Sequence, residues 1–177
     1  GKAYSAWLLA CGGLSGLVLR GDAFNLFVFL EISALSSVIL IALGAGRDRR
    51  ALLAGYNYLI IGAVGATFYV IGVGFIYAVT GSLNMADLAV RIPEVAETNV
   101  VRIGFGFMMA GLLVKAAIFP VHVWLPAAYA FAPSAVSALL AAIATKASLY
   151  IIVRVMFGVF AGVPDLAAFT AEFILIP

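Results

Sequence analysis

Long apolar runs separated by short polar breaks dominate the chain. The first runs from about Ala3 to Leu19 and stops at Arg20-Gly21-Asp22, where Asp22 is placed to cap the next helix. The second covers Ala23 to about Leu43, before a polar loop from Gly44 to Arg50. A third, from about Ala51 to Val79, is longer than a bilayer requires, and Gly55 and Asn57 soften its first turns. Residues 80–100 are the one extended polar stretch, within which Met85–Ala89 predicts a short surface helix. A fourth run covers about Ile103 to Phe119, and Pro120, Pro126 and Pro133 then punctuate the chain. The fifth extends from about Ser134 to Phe160, and beyond Gly162 and Pro164 a sixth begins, carrying Glu172. The pattern predicts an all-α, polytopic transmembrane helical bundle of five helices, one of them discontinuous, plus the start of a sixth.

Composition agrees. Of 177 residues, 66% are hydrophobic and 10% charged, and mean hydropathy is +1.20. A soluble domain carries about 25% charged residues, so these side chains cannot cover a water-facing surface, and the lipid bilayer is the expected solvent. A net charge of +2 without a long basic run gives no support to nucleic-acid binding. The single cysteine, Cys11, lies in an apolar stretch and reads as a small buried hydrophobe. No metal-ligand cluster, cysteine pair, flavin motif or nucleotide motif is present, so no cofactor is expected. The chain starts at Gly1 without a signal-peptide pattern and ends at Pro177 inside an apolar run, which reads as an internal piece (1–177) of one larger membrane domain. Three arginines within residues 47–50 place that loop in the cytoplasm by the positive-inside rule, although Arg20 and Arg154 weaken the asymmetry.

Three charges fall where the pattern should exclude them. Glu31 lies about 12 Å into its segment, and Lys115 and Lys146 each about 18 Å into theirs. A hydrocarbon core of about 30 Å puts all three near its middle. Each costs roughly 2.5–3.5 kcal/mol on insertion scales, or roughly 8–10 kcal/mol together. A structural ion pair between Glu31 and one lysine would leave the other lysine over. The alternative is a proton relay, which intramembrane acids and lysines often mark. Desolvation disfavours a charged lysine while a neighbouring carboxylate favours it, so small movements of Glu31 could load and unload Lys115.

Proline at 120 deprives the Ala116 carbonyl of its helical donor, and Pro126 does the same to His122 if the helix resumes. Freed carbonyls at membrane depth are tolerated only beside protein or a hydrated cavity. His122, just past the break, either bonds such a carbonyl or passes protons between water and Lys115. Thr145, Ser148 and Ser137 neighbour Lys146 at helical spacing. They can hold water, although such residues more often bond the carbonyl four positions back.

Residues 21–31 (GDAFNLFVFLE), residues 115–140 (KAAIFPVHVWLPAAYAFAPSAVSALL) and Thr145-Lys146-Ala147 resemble the antiporter-like subunits of respiratory complex I, membrane hydrogenases and Mrp-type multisubunit cation/proton antiporters. The resemblance implies fourteen helices in two inverted five-helix repeats. This chain would then be one five-helix repeat, about helices 4 to 8 and the start of 9. It gives Glu31, Lys115 and Lys146 the roles of the family's channel glutamate and two channel lysines. The wording of residues 125–140 looks most like the D-type member of the Mrp antiporter, and Ala127 stands where complex I relatives usually carry an acid. The resemblance therefore implies a proton-translocating subunit of a Na+/proton antiporter, multi-pass in the bacterial inner membrane and partnered by other subunits. The alternative it leaves open is a pumping subunit of NADH-quinone oxidoreductase or a membrane hydrogenase, without a redox site in this chain.

Overall fold

A computed structural model describes residues 1–163 and 165–166. The expected sixth segment, with Glu172, lies outside the described residues. The remainder is helical: α1 (Lys2–Leu19), α2 (Ala23–Ala42), α3 (Arg50–Thr80), α4 (Met85–Arg91), α5 (Asn99–Ala116), α6 (Trp124–Phe131), α7 (Ser134–Leu139) and α8 (Thr145–Arg154). Five membrane-directed rods result: α1, α2, α3, α5 continued by α6, and α7 continued by α8. Among the described residues, Ala23–Gly46, Arg50–Thr80, Asn99–Ala116 and Ser134–Val159 are long and apolar enough to cross a membrane, and Ala3–Leu19 is a shorter apolar helix. At 31 residues, α3 is about 46 Å long and overreaches a 30 Å core.

The outer surface is strongly apolar. Leu8, Leu52, Leu53, Phe68, Val153 and Phe157 point outward and are exposed. Inside, one apolar cluster centres on Leu26, Tyr69, Met108, Leu112 and Ile151, and a second on Ala34, Tyr58, Trp124 and Leu140. No water-driven effect pulls membrane helices together, so close backbone approach has to do it. The seam between α3 and α5 uses Gly65 and Gly72 against Gly104 and Gly111. A Cβ at Gly72 would stand 2.6 Å from the Met108 nitrogen, and one at Gly111 would stand 2.7 Å from the Tyr69 nitrogen.

Breaks in hydropathy become capped turns. Asp22 Oδ1 accepts the Asn25 amide at 2.7 Å and so caps α2, as its position predicts. The same turn pairs with the start of α4: Ala23 N–H donates to Leu83 O, and Met85 N–H to Gly21 O, both at 2.8 Å. Asn84 caps α4 through the Ala86 amide at 2.9 Å. Arg154 reaches from the end of α8 to the carbonyls of Val18 (3.2 Å) and Arg20 (2.5 Å), satisfying orphan groups at the end of α1. Arg20 itself lies over the Phe29 ring, 5.2 Å from its centroid. Turns 20–22, 81–98 and 160–163 therefore share one end of the bundle. Residues 43–50 and 131–134 share the other, where Gly44 packs on the Phe131 carbonyl.

Two features depart from the expected outline. The fourth rod ends at Ala116, before Pro120, because Ala117 adopts a left-handed conformation (φ 54°). The fifth is not a plain α-helix: Leu140–Ala144 and Val155–Val159 are π-helical turns.

Candidate functional site

Lys115 occupies the last turn of α5, against the break. Its side chain is buried (7% exposed), and Nζ has no hydrogen-bond partner. Nearby, two carbonyls at the end of α5 find new donors. Ala117 N–H donates to Val114 O and Ile118 N–H to Leu113 O, each at 3.2 Å. The chain turns through 117–123 and re-enters as α6, whose Trp124 Nε1–H donates to Val114 O at 3.0 Å. Trp124 thus ties the second half of the broken helix to the residue preceding Lys115.

Helix α3 supplies the floor. The Lys115 ammonium lies 5.4 Å from the centroid of the Tyr58 ring. Gly62, four residues on and so on the same face, leaves room for it: a Cβ there would sit 3.5 Å from Nζ. Tyr58 meets Trp124 edge-on at 4.8 Å, and its hydroxyl end interacts with Ser37 of α2. Glu31, also on α2, is half-buried and acts electrostatically on both Lys115 and Tyr58. It forms no ion pair; among the described residues the pairs are Asp48–Arg50 and Asp87–Arg91, both exposed. Glu31 Oε1 and Lys115 Nζ are therefore buried, unpartnered and in electrostatic range, which does not fit a structural salt bridge.

His122 lies in the break, half-buried, with its ring 5.7 Å from Phe119. Nδ1 is buried without a partner, so it does not cap a freed carbonyl. The His122 carbonyl accepts the Leu125 amide at 2.9 Å, which resolves the gap expected ahead of Pro126.

Lys146 corrects the sequence reading: it is exposed rather than buried. It follows the π-helical turn 140–144, and Nζ donates to the Ala141 carbonyl. Ser148 is buried and bonds the carbonyl four positions back, Ala144 O, at 3.0 Å, whereas Ser137 bonds Tyr129 O, eight positions back, at 2.8 Å and Pro133 O at 3.4 Å. Ser33, Ser36 and Ser37 line the buried face of α2 beyond Glu31, each bonded to a carbonyl of its own helix. At the end of the bundle that holds 43–50, a cleft of about 680 Å3 opens between Arg47, Asp48, Arg50, Tyr129, Ser134 and Ser137. Outside the membrane segments, the Arg50 guanidinium holds the Asp48 carboxyl below its usual range. Ser82, then Arg91, do the same to Asp87. Among the described residues no group of His, Cys, Asp and Glu is arranged to hold a metal ion.

Tyr58, Gly62, Ser37 and Trp124 escape the sequence reading. Trp124 falls inside the family-like stretch 115–140. For Tyr58 the available signal was a polar-tipped aromatic one turn from a glycine on a membrane helix.

Fold and site together define a multi-pass membrane protein with a discontinuous helix and an unpaired buried lysine at the discontinuity. Residues 21–176 match the family described as NADH:quinone oxidoreductase/Mrp antiporter, transmembrane. The chain belongs to that family and is an antiporter-like membrane subunit of Mrp or complex I type. It is 50% identical over 157 residues to the N-type member of the NADH-quinone oxidoreductase of Desulforudis audaxviator, covering 89% of this chain and 31% of that protein. It is 41% identical over 152 residues to the D-type member of the Na(+)/H(+) antiporter of Bacillus subtilis, covering 86% and 30%. Among solved structures, a chain of the membrane-bound sulfane sulfur reductase, an archaeal respiratory membrane complex, superposes with a TM-score of 0.87 at 35% identity, covering 94% of this chain and 34% of that one. The chain thus spans about a third of the length of the relatives it matches.

Proposed function

We propose that the chain is the first repeat of a proton-translocating subunit, in which Lys115 takes up and releases the proton, Glu31 sets its charge balance, and Lys146 carries protons onward. His122 links Lys115 to water through the break. The observation that carries this reading is Lys115 itself: an ammonium buried at a helix discontinuity, with a carboxylate in electrostatic range and no fixed partner. A permanent charge would be expected to find a partner, because an unpaired buried ion costs several kcal/mol. A group that must exchange a proton is better served by an adjustable neighbour. The exposure of Lys146 fits a site completed by parts of the longer protein that lie beyond this chain.

The first reading for the whole protein is a subunit of a multisubunit Na+/proton antiporter in the cell membrane, assembled with other subunits. The wording of residues 125–140, with Ala127, supports it. The 50% identical relative named as part of an NADH-quinone oxidoreductase favours a second reading, a proton-pumping subunit of a respiratory complex. The test uses the full-length protein in its assembled complex. Lys115→Ala should abolish sodium-driven proton flux in inverted vesicles while a native gel shows intact assembly. Persistent flux with assembly intact would refute the relay. Proton movement in the parent complex that responds to NADH and not to a sodium gradient would select the second reading.

A further inference from the structure

We propose that Tyr58 is the positioning residue for Lys115, its ring face holding the ammonium in the proton-loaded state. The proposal rests on the reading of Lys115 as the proton carrier and adds what receives its charge. Nζ has no hydrogen-bond partner and no ion pair, so the cation is left to longer-range attraction. Its aromatic neighbour is Tyr58, with the ring centroid 5.4 Å away, inside the roughly 6 Å range of cation–π attraction. Burial strengthens that attraction, because no water competes for the charge.

The ring is held for this purpose. Tyr58 is 6% exposed, braced by the edge of Trp124, and its hydroxyl end meets Ser37. Trp124 in turn bonds Val114, the residue before Lys115. Ring and lysine are thereby referenced to the same carbonyl across the break, so movement of α6 would move them together. A π face also suits exchange chemistry. It stabilises the ammonium without accepting its proton, and it demands no reorganised hydrogen bond when the amine becomes neutral. Of the titratable side chains on packed elements, Glu31 on α2 acts on both members of the pair, and Tyr129 on α6 interacts with Tyr58.

The test weakens the ring's electrostatics at constant shape. Phenylalanine and its mono-, di- and trifluoro analogues are introduced at position 58 of the full-length protein, in its assembled complex. Proton flux is followed in vesicles on the alkaline side of the pH optimum, where proton loading limits the rate. Flux should fall stepwise with fluorination, reaching between about half and about one-thirtieth of the phenylalanine value. Flux independent of fluorination would overturn the proposal, because a space-filling ring is indifferent to its quadrupole. An inactive Tyr58→Phe would also overturn it, by making the hydroxyl the operative group. Lys115→Ala in the same vesicles separates the two ideas. If that variant still pumps, the underlying reading fails; if it is dead and the fluorinated series is flat, only the role of Tyr58 fails.

Discussion

The seam between α3 and α5 sets the distance between Tyr58 and Lys115, and one methyl group should disturb it. A Cβ added at Gly72 would stand 2.6 Å from Gly104 O, from Met108 N and from Met108 Cγ. Two of these atoms are backbone and cannot swing away. Reaching an ordinary contact of 3.4 Å requires the helices to part by about 0.8 Å at that level. Overpacking of this kind costs about 1–3 kcal/mol. If the rods separate rigidly, Lys115 Nζ moves from 5.4 Å to just beyond the roughly 6 Å reach of the Tyr58 ring. Gly74, two residues on along the same helix, has nothing within 4 Å of its would-be Cβ. Gly72→Ala and Gly74→Ala remove similar backbone freedom from the unfolded chain, so their difference isolates packing. Thermal stability of the solubilised, assembled complex, read by fluorescence-detected size exclusion, should drop by about 1–3 kcal/mol for Gly72→Ala. For Gly74→Ala it should stay within about 0.5 kcal/mol of the parent. Proton flux should fall only in the first. Equal stability of the two variants would refute the close-packed seam.

The break and the polar end offer two further checks. Ala117 sits at φ 54°, where a β-branched residue is strongly disfavoured; Ala117→Val should cost about 1–3 kcal/mol and Ala117→Gly should leave thermal stability unchanged or slightly raised. The carboxyl of Asp48, depressed below its ordinary 3.8 by Arg50, adds stability that is present above pH 3.8 and lost as pH falls through the folded-state value; the stability gap between parent and Asp48→Asn should therefore be present at neutral pH and close in strong acid.

Much of the architecture was legible because hydropathy in a membrane is a nearly one-dimensional signal. The rods, the capping role of Asp22, the surface helix at 85 and the proline-marked interruption all follow from it. What it could not supply was rotation about a helix axis. Lys146 looks as central as Lys115 when counted along the chain, yet it lies on an exposed face just after the π-helical turn at 140–144. A π turn depends on which backbone bonds form rather than on an obvious residue signal. The break was found through Pro120 but lies at Ala117, because an alanine entering the left-handed region leaves no mark in composition. Tyr58 stayed hidden for a related reason: its importance is a contact across 57 positions of sequence, not a pattern within its own helix.

The two lysines show how the same insertion cost is handled differently. Each sits beside a helix defect, the left-handed residue two positions after Lys115 and the widened turn just before Lys146. Defects at membrane depth strand carbonyls, and an ammonium strands a charge; bringing them together can offset both penalties. At Lys146 the ammonium does reach the defect, since Nζ donates to Ala141 O within the widened turn. At Lys115 it does not, although released carbonyls lie close by. Val114 O is taken by Trp124 and Ala117, and Leu113 O by Ile118, so neither depends on the lysine for its hydrogen bond. Those two carbonyls are satisfied without using the lysine's protons. If Lys115 existed only to mend the helix it interrupts, it would bond one of those carbonyls. Its freedom, in the company of a carboxylate and an aromatic face, is what a proton-exchanging group requires.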